Sequence, residues 1–368
     1  MSRASGEAGP TPLALRLAAR IARDGPISIA DFMEACLGDP AHGYYMTRDP
    51  FGAAGDFVTA PEISQMFGEL IGLWSVEAWE RLGRPAPFVL AELGPGRGTL
   101  MADALRAARL GPEFEAAARI VLVETSPRLT AAQRERLSGH AVAWVRSIAD
   151  LPAGPAIVLA NEFFDALPVR QYVRTDAGWS ERVVAAPDGA LAFALTPAPG
   201  FAGPSAARAG DIVEIAASSD AIMAALAARI VRDGGAVLAI DYGHDGAGHG
   251  DTLQAVYAHA YDPPLARPGE ADLTVHVDFA ALADAARRAG GEPSAMMTQA
   301  DFLLALGLLE RAGRLGAGKD AATQAAIAAA VERLAGPGAM GDLFKVLCIA
   351  PPGIHLPPFS SATGIALP

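Results

Sequence analysis

Three alternate glycines, Gly94, Gly96 and Gly98, stand in the segment Ala-Glu-Leu-Gly-Pro-Gly-Arg-Gly-Thr, Ala91 to Thr99, at the end of an apolar run, Phe88 to Leu93. Glycine has no Cβ, so a strand can turn sharply there and a ligand can lie against the bare backbone. Glu92 sits at the strand end, where a carboxylate can hold a cationic amine directly or through a water. The next apolar run, Ile120 to Val123, ends at Glu124, which is placed to accept from two ribose hydroxyls. A Gly-x-Gly-x-x-Gly dinucleotide fingerprint would need glycine at position 99, and Thr99 stands there. An acid just before the loop would also repel a pyrophosphate, whereas it suits a ligand that carries an amino acid. The set favours S-adenosylmethionine, with Glu92, Gly94, Pro95, Gly96, Gly98 and Glu124 around it.

A second group of polar residues follows the fourth apolar run: Asn161, Glu162 and Asp165, interleaved with Phe163 and Phe164. Ligands of an open parallel sheet bind beyond the carboxyl ends of its strands, so these residues belong beside the glycine loop. Carboxylates grip a guanidinium bidentately and can aim one of its nitrogens at a methyl donor. Glu162 is the first candidate for that task and Asp165 the second. The plainer alternative is that Asp165 caps a helix and the two phenylalanines only pack. Asp241-Tyr242-Gly243 ends the fifth run and is expected on the same rim. His244 and His249 follow in a Gly-rich loop with no third ligand at metal-binding spacing, so no metal is expected and a loop near the substrate is.

These side chains need a scaffold. Apolar runs recur at Phe88–Leu93, Ile120–Val123, Val142–Val145, Ile157–Leu159, Gly235–Ile240 and Leu343–Ile349, with helical patterns between them. That spacing predicts a doubly wound, mostly parallel α/β sheet covered on both faces. Ahead of it, residues 1–86 read as a loose tail followed by a helical region. One helix breaks at Gly25-Pro26, a second is capped by Ser28, and a third runs from Pro61 to about Leu82. Residues 87–350 form the sheet domain. At about 170–215, short runs at Gln171–Val173, Ser180–Val184 and Leu191–Leu195 read as a β insertion after the fourth strand. The Pro-rich end, 351–368, is expected to wrap the surface.

Bulk composition narrows the function. The chain has 368 residues, 51% hydrophobic and 19% charged, and its formal net charge of -12 disfavours general binding to nucleic acid or anionic membrane. Cys36 and Cys348 are isolated from other ligand residues, so neither zinc nor a disulfide framework is expected. No apolar run is long enough to span a bilayer, and the N-terminus lacks the apolar core of a secretory signal, which points to a cytoplasmic location.

Longer stretches carry a family resemblance. They are His42-Gly43-Tyr44-Tyr45, GDFVTAPEISQMFGELIG from Gly55, ELGPGRGTL from Glu92, ANEFFDALPVRQ from Ala160, AIDYG from Ala239, GDTLQAV from Gly250, PGEADLTVHVDF from Pro268 and LFKVL from Leu343. In this order they cover nearly the whole chain. The chain resembles the MidA-like methyltransferases, which include the mitochondrial NADH dehydrogenase complex I assembly factor 7 proteins. The resemblance implies a class I methyltransferase fold and S-adenosylmethionine as cofactor. Gly94, Gly96, Gly98 and Glu124 match its cofactor motifs, and Asn161, Glu162 and Asp165 match its motif after the fourth strand. Gly55, Asp56, Phe57 and Thr59 match a family loop that closes over cofactor or substrate. For the mitochondrial relatives it implies symmetric dimethylation of an arginine on a core subunit of complex I, supporting assembly; a bacterial member would work in the cytoplasm. Two other functions stay in competition: a non-enzymatic assembly chaperone that binds the cofactor, and a small-molecule methyltransferase. A wide acidic cleft would favour a protein arginine, and a closed apolar pocket a small acceptor. Nothing in the sequence fixes an oligomeric state.

Overall fold

Inward and outward residues alternate along each apolar run, and that alternation builds two cores. The structure, a computed structural model, describes residues 9–48, 59–246 and 250–359. Its central sheet has six principal strands: β1 (Phe88–Leu93), β2 (Ala118–Val123), β3 (Val142–Val145), β4 (Ala156–Asn161), β5 (Gly235–His244) and β6 (Phe344–Ala350). Their spatial order is β6-β5-β4-β1-β2-β3, parallel except for β6, which runs antiparallel to β5. Leu90, Leu122, Leu159 and Leu238 fall on one face, and Ala91, Val121, Val158 and Val237 on the other. Both faces are dry, so the strands read as continuous apolar runs.

Helix α1 (Gln65–Arg81) and helix α2 (Thr99–Ala108) cover the first face. They approach closely because a Cβ at Gly72 would lie 2.4 Å from the Ala104 carbonyl oxygen. This contact holds the helix that follows the glycine loop hard against the molecule. The expected single helix from Pro61 is in fact two. Ser64 is extended, and its side chain accepts from the Met66 N–H to start α1 after a short turn of helix at Ala60–Ile63. Helices Ala217–Asp233 and Phe279–Arg288 cover the other face.

A third core joins the N-terminal helices Pro12–Asp24 and Ile29–Gly38 to the inserted strands, through Leu17, Phe32, Met33, Val169, Val184 and Leu273. The strands expected at 171, 180 and 191 appear as Arg170–Thr175, Gly178–Ala185 and Ala192–Pro197. Three features were not expected. Ile212–Ile215 adds a strand to this sheet, and Ile27–Ser28 pairs with Val183 and Val184. A separate three-stranded sheet forms from Gln254–Tyr257, Ala260–Asp262 and Asp272–Thr274. In the chain after Pro351, Leu356 and Phe359 are buried, and the Trp74 indole N–H donates to the Pro357 carbonyl at 3.0 Å. Up to residue 359 it runs over the surface, with Pro352, Gly353, His355 and Pro357 exposed, but Leu356 and Phe359 anchor it in the first core. No helix among the described residues is long and apolar enough to cross a membrane. Both cysteines are buried, and burial pushes their thiols far above the usual range.

Candidate active site

Strand order reverses between β1 and β4, so the loops leaving their carboxyl ends diverge and open a crevice. Gly94, Gly96 and Gly98 all occupy the left-handed region, with φ of 57°, 52° and 76°. A Cβ at Gly94 would stand 3.0 Å from Phe163 Cδ2 on the loop after β4. Gly98 turns away from the crevice toward Gln133 and Leu137, where it starts α2.

Gln133 holds this loop together, and sequence reasoning missed it. It is fully buried; its Nε2 donates to the Gly96 carbonyl at 2.7 Å and to Glu124 Oε2 at 3.0 Å, while its Oε1 accepts from the Trp144 indole N–H at 2.9 Å. Glu124 Oε1 accepts from the Ser126 N–H at 2.7 Å. Both carboxylate oxygens are therefore oriented, with lone pairs left for two hydroxyls. Burial raises the Glu124 pKa, opposed by the Ser126 N–H and by Gln133. The available signal was a lone amide on the apolar stripe Leu129, Gln133, Leu137 of helix Pro127–Arg136 and its cap.

Glu92 ends β1 at the floor of the crevice, opening on a small recess of about 30 Å³ shared with Pro95, Gly96, Thr99, Asn161 and Glu162. Its carboxylate takes the Met101 N–H, but Oε2 is buried with no partner among the described residues. Desolvation, the larger cause, and the nearby Glu124 push its pKa up to about 8. A buried oxygen without a donor is what a cationic amine would satisfy, and the bare glycine turn beside it leaves room for one; the residues fit the proposed cofactor. Because the folded pKa lies above the unfolded value near 4.5, the folded state binds the extra proton between those limits, and stability falls as pH rises through them. Glu92→Gln is therefore expected to raise the ligand-free stability relative to the parent at pH 9, by up to about 5 kcal/mol, with no gain at pH 4. Calorimetric scans at the two pH values check this.

The loop after β4 is shaped by a residue 76 to 78 positions away. Asp241, fully buried on β5, accepts through Oδ2 from the N–H groups of Phe163, Phe164 and Asp165 at 3.1, 3.0 and 3.2 Å. Three successive donors wrapped on one carboxylate force the chain to curl, and Glu162 takes the left-handed conformation at φ 48° to start that curl. Asp241 was expected to line the rim; it lies beneath the loop and organises it instead. Burial, with Asp165 and Glu162 close by, holds its pKa well above the carboxylate range.

Glu162 Oε1 accepts from the Ala60 N–H at 2.9 Å and from Asn161 Nδ2 at 3.2 Å. Its Oε2 has no hydrogen bond among the described residues. Asp165 Oδ2 accepts from the Tyr242 hydroxyl at 2.8 Å, and Oδ1 is buried without a partner among the described residues. Each acid thus keeps one oxygen uncommitted. Desolvation drives Glu162 up to about 7 and Asp165 up to about 6. No helix follows Asp165, only a turn, so the helix-capping alternative fails. Phe164 is buried, while Phe163 lines the cavity.

The crevice widens into a cavity of about 830 Å³ that touches Gly94, Gly96, Glu124, Glu162 and Asp165, with Thr59 at its edge. Among its described lining residues, Glu34 and Asp272 bring the carboxylates to five, against one guanidinium, Arg333. His276 also lines it, and burial lowers its pKa, keeping it neutral at pH 7. Tyr261, 82% exposed, stands at the mouth. Of the other expected residues, Glu92, Pro95 and Asn161 lie in the adjoining recess, and Gly55, Asp56, Phe57 and His249 fall outside the described residues. His244 faces a different cavity beyond the loop, and no group of three metal-ligating side chains stands together among the described residues.

Known proteins resemble this chain along most of its length. A family model described as "Putative S-adenosyl-L-methionine-dependent methyltransferase" matches residues 70–297. The chain is 37% identical to the zebrafish (Danio rerio) mitochondrial protein arginine methyltransferase NDUFAF7 over 90% of its own length and 85% of that protein. It is 35% identical to the human (Homo sapiens) protein of that name, over 93% of this chain and 84% of the relative. A likely methyl transferase from Burkholderia thailandensis, a COG1565 superfamily member crystallised bound to S-adenosyl-homocysteine, superposes with a TM-score of 0.79 at 30% identity, covering 95% of this chain and 96% of that one. The glycine turn, its flanking acids and matches that run along most of the chain lead to one conclusion: this protein belongs to that family of S-adenosylmethionine-dependent methyltransferases.

Proposed function

We propose that the protein methylates the guanidinium of an arginine in a protein substrate. The supporting observation is the pair of acids, Glu162 and Asp165, each with one oxygen outside its hydrogen bonds among the described residues, in the lining of a wide acidic cavity continuous with the glycine turn. The relatives named as protein arginine methyltransferases point the same way. The family resemblance supplies the finer part of the proposal. The product is symmetric dimethylarginine, the target is a core subunit of NADH-quinone oxidoreductase undergoing assembly, and the reaction takes place in a bacterial cytoplasm.

Bound S-adenosylmethionine supplies an electrophilic methyl group on a cationic sulfur. Glu92 receives its amine and Glu124 its ribose hydroxyls, while Gly94 and Gly96 leave space for it. Glu162 and Asp165 accept from guanidinium N–H groups and fix one nitrogen for attack, which is chiefly a proximity effect. Alkylation makes that nitrogen shed a proton. A carboxylate with a pKa near 7 is well matched to take it, so Glu162 also serves as the proton acceptor.

The test is incubation with methyl-labelled S-adenosylmethionine and peptides from NADH-quinone oxidoreductase subunits, followed by hydrolysis and separation of methylated amino acids. Label in symmetric dimethylarginine is the expected result. Label on any other residue, or only on small molecules, overturns the proposal.

A further inference from the structure

The Tyr242 hydroxyl bonded to Asp165 has polar neighbours of its own in the cavity wall. Gln254 Nε2 donates to Thr274 Oγ1 at 3.3 Å, Thr274 stands beside the Tyr242 oxygen, and the Tyr242 hydroxyl donates to Asp165 Oδ2 at 2.8 Å. Thr274 is buried, and with Gln254 it belongs to the three-stranded sheet outside the central one. The strand carrying Thr274 is tied to the loop a second time, since the Val275 N–H donates to the Asp165 carbonyl at 3.0 Å.

We infer that Tyr242 is a positioning residue of the acceptor site: its hydroxyl, beside Thr274, pins Asp165 Oδ2 and fixes the carboxylate in the wall where the guanidinium docks. This rests on the arginine reading above. Asp165 makes no ion pair among the described residues, so hydrogen bonds must hold it ionised. The Tyr242 hydroxyl is the strongest of these, and the Ala166 N–H adds less. The groups facing Asp165 oppose its ionisation or leave it unaided. They are Glu162 on its own loop, Asp241 on β5, and Tyr45 on helix Tyr44–Thr47, whose hydroxyl donates to Asp272 at 3.0 Å. His276, edge-on to the Tyr242 ring at 5.5 Å, is neutral at pH 7. Thr274 braces the Tyr242 oxygen, so removing the Thr274 hydroxyl loosens the hold on Asp165.

Tyr242→Phe keeps the ring contacts with His276 and Phe344 and removes only the hydroxyl. With the acceptor peptide that the parent modifies, kcat/KM at pH 7 is expected to fall roughly 10- to 100-fold, the effect of one hydrogen bond to a charged group. The acid limb of the pH profile, which Glu162 and Asp165 share, should move up by a few tenths of a unit, about 0.3, while calorimetric affinity for S-adenosylmethionine stays within about twofold. Thr274→Val, which retains the tyrosine hydroxyl, should shift the limb the same way by less. A purely packing role would lower activity equally at every pH, and an unmoved limb in both variants overturns the inference. Independently of any acceptor, the carboxyl carbon of Asp165, assigned in ¹³C spectra by its loss in Asp165→Asn, should titrate higher in Tyr242→Phe than in the parent. An identical titration overturns the inference. If the parent methylates no arginine, that failure belongs to the proposed function, and the carbon titration still decides whether Tyr242 controls Asp165.

Discussion

Glu162→Gln is expected to lower kcat by about 10²- to 10⁴-fold, the range for losing a positioned acid–base group, with cofactor affinity changed by less than about threefold. The substitution is nearly isosteric. A glutamine Oε1 still accepts from the Ala60 N–H and from Asn161 Nδ2, so the curled loop keeps its anchors. What changes is the uncommitted position, where an amide donor replaces a carboxylate oxygen and meets the guanidinium with like polarity. Stability separates this from misfolding. Burial raises the folded pKa of Glu162 to about 7, so between about 4.5 and 7 the folded state binds more protons than the unfolded one, and the parent loses stability as pH rises through that window. The variant escapes that loss, and its unfolding temperature relative to the parent should increase from pH 4.5 to pH 8. Single-turnover kinetics with scanning calorimetry at the two pH values reads both effects. In cells, an inactive variant that still supports assembly of the respiratory complex would favour a scaffold over chemistry.

Gly94→Ala is expected to weaken cofactor binding by roughly 10- to 100-fold. The left-handed φ of 57° costs any residue with a Cβ about 1–2 kcal/mol. The added methyl also meets Phe163 Cδ2 at 3.0 Å, on a ring that packs edge-on against Phe164 with centroids 5.2 Å apart. Either the turn opens or the Phe163 ring swings into the cavity, and both take space from the ligand. Gly94→Val should be worse on each count, because a β-branched residue is a steric outlier at positive φ. That variant will therefore lose stability as well as binding, contrary to the simplest reading of a filled pocket. Titration calorimetry with S-adenosylmethionine, beside a thermal scan of ligand-free protein, separates the two losses. Unchanged affinity in Gly94→Ala would remove the glycine turn from the cofactor site.

The sheet was legible because its signals are short-range. The central strands of the parallel core are buried on both faces and end at turn residues, so Phe88–Leu93 was bounded to the residue; the half-buried edge strand Val142–Val145 was bounded as well by the turn residues at its ends. The glycine turn was equally plain, since three positive φ values in five residues admit little else than glycine. Two short strands outside the parallel core were not legible: Ile27–Ser28 and Ile212–Ile215 show too little alternation, and they exist because partners across the insertion pair with them. Ser64 was missed because an extended residue between two helical turns has no pattern of its own.

By itself the sequence determined the sheet, the crevice and the acids that flank it, since these depend on residue type and neighbours a few positions away. Tertiary structure alone decided how those acids are held. Gln133 reaches Gly96 across 37 positions, Asp241 curls the loop at Phe163 from 78 positions on, and Tyr242 meets Asp165 across 77. A hydrogen bond needs donor and acceptor within about 3 Å and well aligned. Only the folded chain sets that distance, and with it which oxygen of each carboxylate stays open for a substrate.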